Sequence, residues 1–249
     1  MISVKNKDQI RLMKEAGRIT GEALALAGEA IKPGMTTKQL DAMIRHHIEK
    51  CGAKPSFLGY GGFPGSACIS INDQVIHGIP SSRVIEEGDI VKIDVGAFYK
   101  GFHGDSANTF PVGKVSDEAM KLINVTKESF WRGIAEAKPG NRVGDIGYAI
   151  QSYVEANGFA VVRRYVGHGV GEELHESPDV PNFGTKGRGV RLCAGMTIAV
   201  EPMVNIGTHE VKELNDKWTV VTADGSLAAH YEHTIAITDD GVMVLTKID

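Results

Sequence analysis

The chain opens on a long helical stretch, roughly Asp8 to Ile31, followed by the turn Lys32-Pro33-Gly34 and a second, shorter helix. In the second helix Leu40, Met43, Ile44 and Ile48 share one face, the three-and-four spacing of an amphipathic helix lying on a core. The arrangement then recurs. A helical stretch from Ser116 to Ala137 leads into Lys138-Pro139-Gly140 and a helix with Ile146, Ile150 and Val154 on one face. Aligned turn on turn, Ile44 matches Ile150, Glu49 matches Glu155, and Gly52 matches Gly158, the glycine that stops each helix.

Strand-like runs follow each helix pair: Cys68–Asn72, Ile90–Val95, Phe102–Val112, Met196–Val204, Trp218–Val221, His230–Ile237 and Val242–Leu245. Most are β-branched or alternating and end at Gly, Pro, Asn or Asp. The repeat continues into them. EEGDIVKID ends at Asp94 and CAGMTIAVE ends at Glu201, so a carboxylate occupies the matching strand position in both copies. Helices before strands, twice over, predict an α+β fold with helices packed on one face of a mainly antiparallel sheet. No low-complexity or Pro/Gly/Ser-rich linker divides the chain. Residues 1–249 are therefore expected to form a single domain of two pseudo-symmetric halves, about 1–115 and 116–249.

Composition narrows the function classes. The formal net charge is −4, from 27 basic and 31 acidic side chains, without a Lys/Arg run, which argues against nucleic acid as a partner. No apolar run approaches the ~20 residues that span a bilayer. The N-terminus, MISVKNKDQIRLMKEAG, has no apolar signal region, so a cytoplasmic protein is expected. Cys51, Cys68 and Cys193 are widely spaced and odd in number, unlike a disulfide framework or zinc knuckle.

Candidate chemistry gathers at the strands. Asp94 follows Ile90-Val91-Lys92-Ile93, and Glu201 follows Thr197-Ile198-Ala199-Val200. Asp105 lies in Gly101-Phe102-His103-Gly104-Asp105-Ser106, and Glu232 in His230-Tyr231-Glu232-His233-Thr234. His168 stands among glycines in Val166-Gly167-His168-Gly169-Val170-Gly171, where the backbone can approach a ligand closely. Taken singly, each is as ordinary as a salt-bridge partner or a satisfied core histidine. As a set they are not, because carboxylates at the buried ends of apolar strands repel one another and are costly unless a cation offsets them. Four carboxylates and one imidazole suit Mn²⁺, Fe²⁺, Co²⁺ or Zn²⁺ better than a thiolate-seeking ion. Other catalytic signatures are missing: His175-Glu176 runs into Ser177-Pro178 rather than an HExxH helix, and there is no GxSxG elbow, P-loop or dinucleotide fingerprint.

The stretches SACISINDQVIHGIP, EGDIVKIDVGAFYKGFHGDSANTF, YVGHGVGEELHESP, GMTIAVEPMV and AAHYEHTIAIT occur in order. With the two KPG helices, they closely resemble the type I methionine aminopeptidases, in their bacterial short form, of the M24 metallopeptidases. The resemblance spans nearly the whole chain and implies the pseudo-symmetric pita-bread fold. It implies that Asp94, Asp105, His168, Glu201 and Glu232 ligate two divalent ions (Co, Mn, Fe or Zn), with Asp105 and Glu232 bridging both. Asp94 would serve one ion, His168 and Glu201 the other. His77 would contact the scissile peptide, and His175 the substrate carbonyl as it becomes an oxyanion. The methionine pocket would be drawn from Tyr60, Phe63, Cys68, His77, Leu174 and Trp218. Leu174 departs from the aromatic residue the family pattern places there, and Phe57 stands where some relatives carry cysteine.

The implied reaction is removal of the initiator methionine from nascent proteins whose second residue is small. A hydroxide shared by the two ions would attack the first peptide bond, with Glu201 as proton shuttle. The implied partners are nascent N-termini beginning with Met, with the ribosome a further candidate, and the chain would act as a monomer away from membranes. Two rivals remain at this stage. An X-Pro dipeptidase shares the fold, though typically with a large N-terminal domain. A non-catalytic peptide-binding member of the fold would lack ligand residues, and here all five are present.

Overall fold

A computed structural model of the chain describes residues 2–248. Helix α1 spans Lys7–Ala30 and α2 spans Thr37–Lys50; α3 spans Asp117–Ala135 and α4 spans Val143–Ala156. All four agree with the sequence periodicity to within a few residues, because their ends are chemically marked. The Asn6 side chain accepts from the amides of Asp8 and Gln9 while Gln9 reaches back to the Asn6 amide, a capping box that Thr36 and Gln39 repeat at α2. Ser116 caps α3 through the Ala119 amide at 3.1 Å, with Asp117 and Glu118 in the first turn favouring the helix dipole. At α4 the Asp145 carboxylate accepts from the Arg142 amide at 2.8 Å.

Among the described residues, two three-stranded sheets accompany a larger, curled sheet of nine strands. Its main path runs through Lys54–Pro55, Ile90–Tyr99, Phe102–Pro111, Glu232–Thr238, Thr197–Val200, Gly167–Gly169 and Glu176–Val180, every neighbour antiparallel. Ala67–Ile71 also pairs with Ile90–Tyr99, and Gly241–Val244 with Glu232–Thr238. The repeat in sequence is a repeat in space. Two long strands, Phe102–Pro111 and Glu232–Thr238, meet at the centre, flanked by Ile90–Tyr99 on one side and Thr197–Val200 on the other. An isolated β-bridge ties the start of each shorter helix to the chain ahead of its strand, Thr36 to Val84 and Arg142 to Arg191.

Each helix pair covers its own stretch of sheet. Ile19, Ala23 and Leu24 of α1 and Leu40, Ile44 and Ile48 of α2 bury themselves against Ile69, Val91, Ile93 and Val95. Leu122, Phe130 and Ile134 of α3 and Ile146, Ile150 and Val154 of α4 do so against Ile198, Val200, Ile235 and Ile237. Burying one such side chain is worth roughly 1.5–3 kcal/mol, so these two apolar layers supply most of what fixes the sheet's curl. Thr20 pins α1 to the central strands: its hydroxyl donates to the Gly104 carbonyl at 3.0 Å.

Three expectations shift, and the first is that His230–Ile237 divides into Ala228–His230 and Glu232–Thr238, which lie in different sheets. The run Met196–Val204 is two strands, Thr197–Val200 and Met203–Asn205, because Pro202 carries no amide hydrogen to continue the ladder. Trp218–Val221 begins later, at Val220–Thr222, since Asp216 holds the Trp218 and Thr219 amides in a turn at 2.9 and 2.8 Å. No helix among the described residues is long and apolar enough to cross a membrane.

Candidate active site

The sheet delivers its polar residues to one place. Asp94 sits mid-strand opposite Ala107 and Cys68. Asp105 is locked by Thr234: the Asp105 amide donates to the Thr234 hydroxyl at 3.0 Å, and that hydroxyl donates to the Asp105 carbonyl at 2.9 Å. Glu232 opens the neighbouring strand, and its carbonyl accepts from the Ser106 hydroxyl at 2.7 Å. Glu201 follows Val200 directly; Pro202 ends the strand there, and the Asn182 amide group holds the Glu201 carbonyl at 3.0 Å. His168 is the middle residue of Gly167–Gly169. A Cβ on Gly167 would lie 2.4 Å from the Ala199 carbonyl oxygen, and one on Gly169 would lie 2.5 Å from that of Ser177. Only glycine lets this short strand pass between its neighbours and carry His168 into the site.

The donor atoms converge. One atom each from Asp105, His168 and Glu232 lies within 4.8 Å of the others. His168 Nε2 is 3.5 Å from Glu201 Oε1 and 3.9 Å from Asp105 Oδ2. The other ring nitrogen, Nδ1, bonds the Gly169 carbonyl at 2.8 Å, which puts the proton on Nδ1 and turns the Nε2 lone pair towards the carboxylates. Burial, and then the nearby His175, lower the His168 pKa to about 3, so the ring is neutral and able to ligate.

The carboxyls are perturbed the other way. Burial raises Asp105 to about 7 and pushes Asp94, Glu201 and Glu232 well above the usual range. Repulsion adds to this, from Asp105 on the other three and from Glu201 on Asp94 and Glu232. Asp94 Oδ1, Asp105 Oδ1 and Glu232 Oε1 are buried without a hydrogen-bond partner. Buried, orphaned and mutually repelling oxygens beside an imidazole lone pair are satisfied together by divalent cations, and the residues fit that use.

Every site residue expected from sequence lines one cavity of about 150 Å³. The polar end holds Asp94, Asp105, His168, Glu201 and Glu232. The apolar end is a packed cluster of Phe57, Phe63, Cys68 and Leu174, with Ile79 and Trp218 against it. Phe57 and Leu174 thus touch the same small space. The Cys68 thiol is pushed well up by burial, then by Asp94, Asp105 and Glu232, and stays protonated and apolar in behaviour. His77 closes one wall, edge-on to Trp218 with ring centroids 6.4 Å apart. Its φ of +59° is a left-handed conformation that is uncommon off glycine and is the kind of strain found at functional positions. His175 closes another wall, its ring 4.1 Å from that of His168.

Tyr60 lines the cavity as expected, at its rim. It is exposed, stacks on His175 at 5.2 Å, and its hydroxyl bonds His175 Nδ1 at 2.9 Å. Two residues were missed from the sequence. His230 is buried with both ring nitrogens unpartnered, its Nε2 3.7 Å from Glu201 Oε2 and 3.9 Å from Glu232 Oε2. The signal was there, since His230 and Glu232 are two apart and extended chain sends both to one face. Asn182 carried no such signal, because its contact with Glu201 is purely tertiary.

This cavity, with hard and imidazole donors at one end and an apolar socket at the other, has the make-up of a metal-dependent enzyme site. Comparison with known proteins makes that specific: residues 11–239 match metallopeptidase family M24, and the chain belongs to that family. A methionine aminopeptidase of Clostridium acetobutylicum is 56% identical over 247 residues, covering 99% of both chains. The crystal structure of a Thermotoga maritima methionine aminopeptidase superposes with a TM-score of 0.98 at 46% identity, covering 100% of both chains. A prolidase from Pyrococcus furiosus shares the fold at a TM-score of 0.80 and 25% identity, but this chain covers only 66% of it. The pita-bread α+β architecture is thus common to all three.

Proposed function

We propose that the chain is a methionyl aminopeptidase that removes the initiator methionine from nascent proteins whose second residue is small. The observation that carries this reading is the two-ended cavity, in which an apolar socket too small for a folded chain abuts the metal-type donors. A flexible, unbranched thioether fills an irregular socket lined by Phe57, Phe63, Cys68, Leu174 and Trp218 well. The high identity to methionine aminopeptidases over the full length supports the same activity.

In this reading Asp94, Asp105, His168, Glu201 and Glu232 would hold two divalent ions. Cobalt, manganese, iron and zinc all match the donor set. When bound, the ions neutralise the carboxylates, polarise the peptide carbonyl and make water nucleophilic near neutral pH. Glu201 acts as proton shuttle, its carboxyl lining the cavity beside the other donors with Oε1 3.5 Å from His168 Nε2. His175 donates to the substrate carbonyl oxygen as charge develops there, and Tyr60 fixes the ring that does so. His77 lies against the scissile peptide.

The two halves, about 1–115 and 116–249, work as one catalytic unit because ligands come from both. The enzyme acts as a monomer in the cytoplasm on N-termini emerging from the ribosome, with neither nucleic acid nor membrane as partner. The test is hydrolysis of Met-Ala-Ser beside an Ala-Pro peptide. Release of methionine from the first alone is expected. Preferential cleavage of the second would make the chain an X-Pro peptidase and overturn the assignment.

A further inference from the structure

Away from the catalytic cavity, a second group of metal-type side chains comes together on the helices. Glu22 lies in α1, His47 in the last turn of α2, and Cys51 is the residue that caps α2. His47 and Cys51 are four apart and share a helix face. Glu22 reaches them from the neighbouring helix. One donor atom from each of the three lies within 4.8 Å of the others. We infer that Glu22, His47 and Cys51 form a second, non-catalytic metal site that takes one borderline-soft divalent cation of zinc type and clamps α1 to α2.

The spacing argues for a cation rather than for ordinary hydrogen bonds. His47 Nε2 is 3.5 Å from Glu22 Oε2 and 3.6 Å from Cys51 Sγ. In a tetrahedral site with metal–nitrogen bonds of ~2.0–2.1 Å and metal–sulfur bonds of ~2.3 Å, neighbouring donors stand ~3.3–3.7 Å apart. Both contacts fall in that range. The two cannot both be hydrogen bonds without an ion, because a single ring nitrogen either carries a proton for Glu22 or offers a lone pair to the thiol. A cation accepts all three lone pairs at once.

Glu22 is already oriented for this. Arg18 Nη1 holds its Oε1 at 2.5 Å, which leaves Oε2 facing His47. The position at the C-terminal end of α2 adds the partial negative charge of the helix dipole, which favours a cation. One nitrogen, one sulfur and one oxygen select zinc or cobalt over magnesium or manganese. All three residues are half-buried, so solvent completes the fourth position and the ion exchanges with solution. None of the three lines the catalytic cavity.

The test uses the whole chain with its catalytic centre first loaded with Mn²⁺, which has little affinity for thiolate. Co²⁺ is then added and the near-ultraviolet thiolate-to-cobalt absorption is followed. The expected result is a band that saturates at one equivalent, is lost in Cys51→Ser and weakened in His47→Gln, and persists in Cys68→Ser and Cys193→Ser. With the catalytic centre saturated beforehand, a further equivalent of Zn²⁺ should raise the melting temperature of the parent by more than that of Cys51→Ser. Methionine release by the Mn²⁺-loaded Cys51→Ser variant should match the parent. Absence of the band, or a band that survives in Cys51→Ser, would overturn the site. So would loss of the band in Cys68→Ser, which would place the thiolate in the catalytic cavity.

Discussion

Replacing Tyr60 with phenylalanine isolates one hydrogen bond from the rest of the active site. Burial lowers the His175 pKa, so the ring is neutral near pH 7 and has one proton to place. Burial, then Glu173 and Asp105, raise the Tyr60 pKa, so its hydroxyl is a donor. The 2.9 Å contact is therefore Tyr60 donating to His175 Nδ1, which puts the imidazole proton on Nε2, where a developing oxyanion can use it. Phenylalanine keeps the ring stack at 5.2 Å and removes only this bond. A neutral hydrogen bond is worth ~0.5–1.5 kcal/mol net, which corresponds to a fall in kcat of about 2- to 10-fold. His175→Ala removes the oxyanion donor itself and should lower kcat by ~10²–10³-fold with a smaller change in KM.

The assay is steady-state hydrolysis of Met-Ala-Ser, with metal content and melting temperature measured on the same samples. Because Tyr60 acts through His175, adding Tyr60→Phe to His175→Ala should lower kcat no further. The reasoning fails if Tyr60→Phe changes KM alone, if it leaves kcat untouched, or if its effect is undiminished in the double variant. Loss of metal in His175→Ala would instead make that histidine a ligand.

Three further outcomes are expected. His168→Ala removes the one nitrogen donor and should weaken metal binding measurably by calorimetric titration; unchanged affinity would take His168 out of the ligand set. Peptides beginning Met-Gly, Met-Ala or Met-Ser should be cut and Met-Lys or Met-Phe should not, because a clash at a tight wall costs more than an added contact returns; equal rates for Met-Ala and Met-Phe would refute this. His233 is enclosed by Ser106, Tyr231 and Thr246, and burial, then Lys127 and Lys247, lower its pKa to about 3. A histidine pKa depressed on folding contributes stability that is present above the ordinary ~6.5 and lost as pH falls towards the folded value, by at most about 1.4 kcal/mol per pH unit. Denaturant midpoints should therefore fall less between pH 7 and pH 5 in His233→Asn than in the parent, and parallel curves would exclude the effect.

Much of this was readable in the chain because strand and helix signals coincided with chemistry. Asp94 and Glu201 each end an apolar run in matching copies of a repeat, and the sheet sets them in one cavity. The shorter helices were equally plain, since the Lys32-Pro33-Gly34 and Lys138-Pro139-Gly140 turns and the stopping glycines Gly52 and Gly158 are local signals. Less was legible wherever tertiary contact decides the structure. Gly167-His168-Gly169 has no strand propensity and becomes a strand only by lying between Thr197–Val200 and Glu176–Val180. Tyr60 read as a pocket aromatic and lines the cavity, but nothing local showed that its hydroxyl pairs with His175, 115 residues away in sequence. The Glu22–His47–Cys51 group belongs to two helices whose periodicity says nothing about which outer faces meet.

The decisive measurement is methionine release from Met-Ala-Ser by protein stripped of metal to the detection limit and then titrated anaerobically with Mn²⁺, Fe²⁺, Co²⁺ or Zn²⁺. The cluster Asp94, Asp105, His168, Glu201 and Glu232 predicts no turnover in the stripped protein, with activity restored as one or two equivalents bind. Full activity in the metal-free protein would contradict a metal-dependent mechanism at this site.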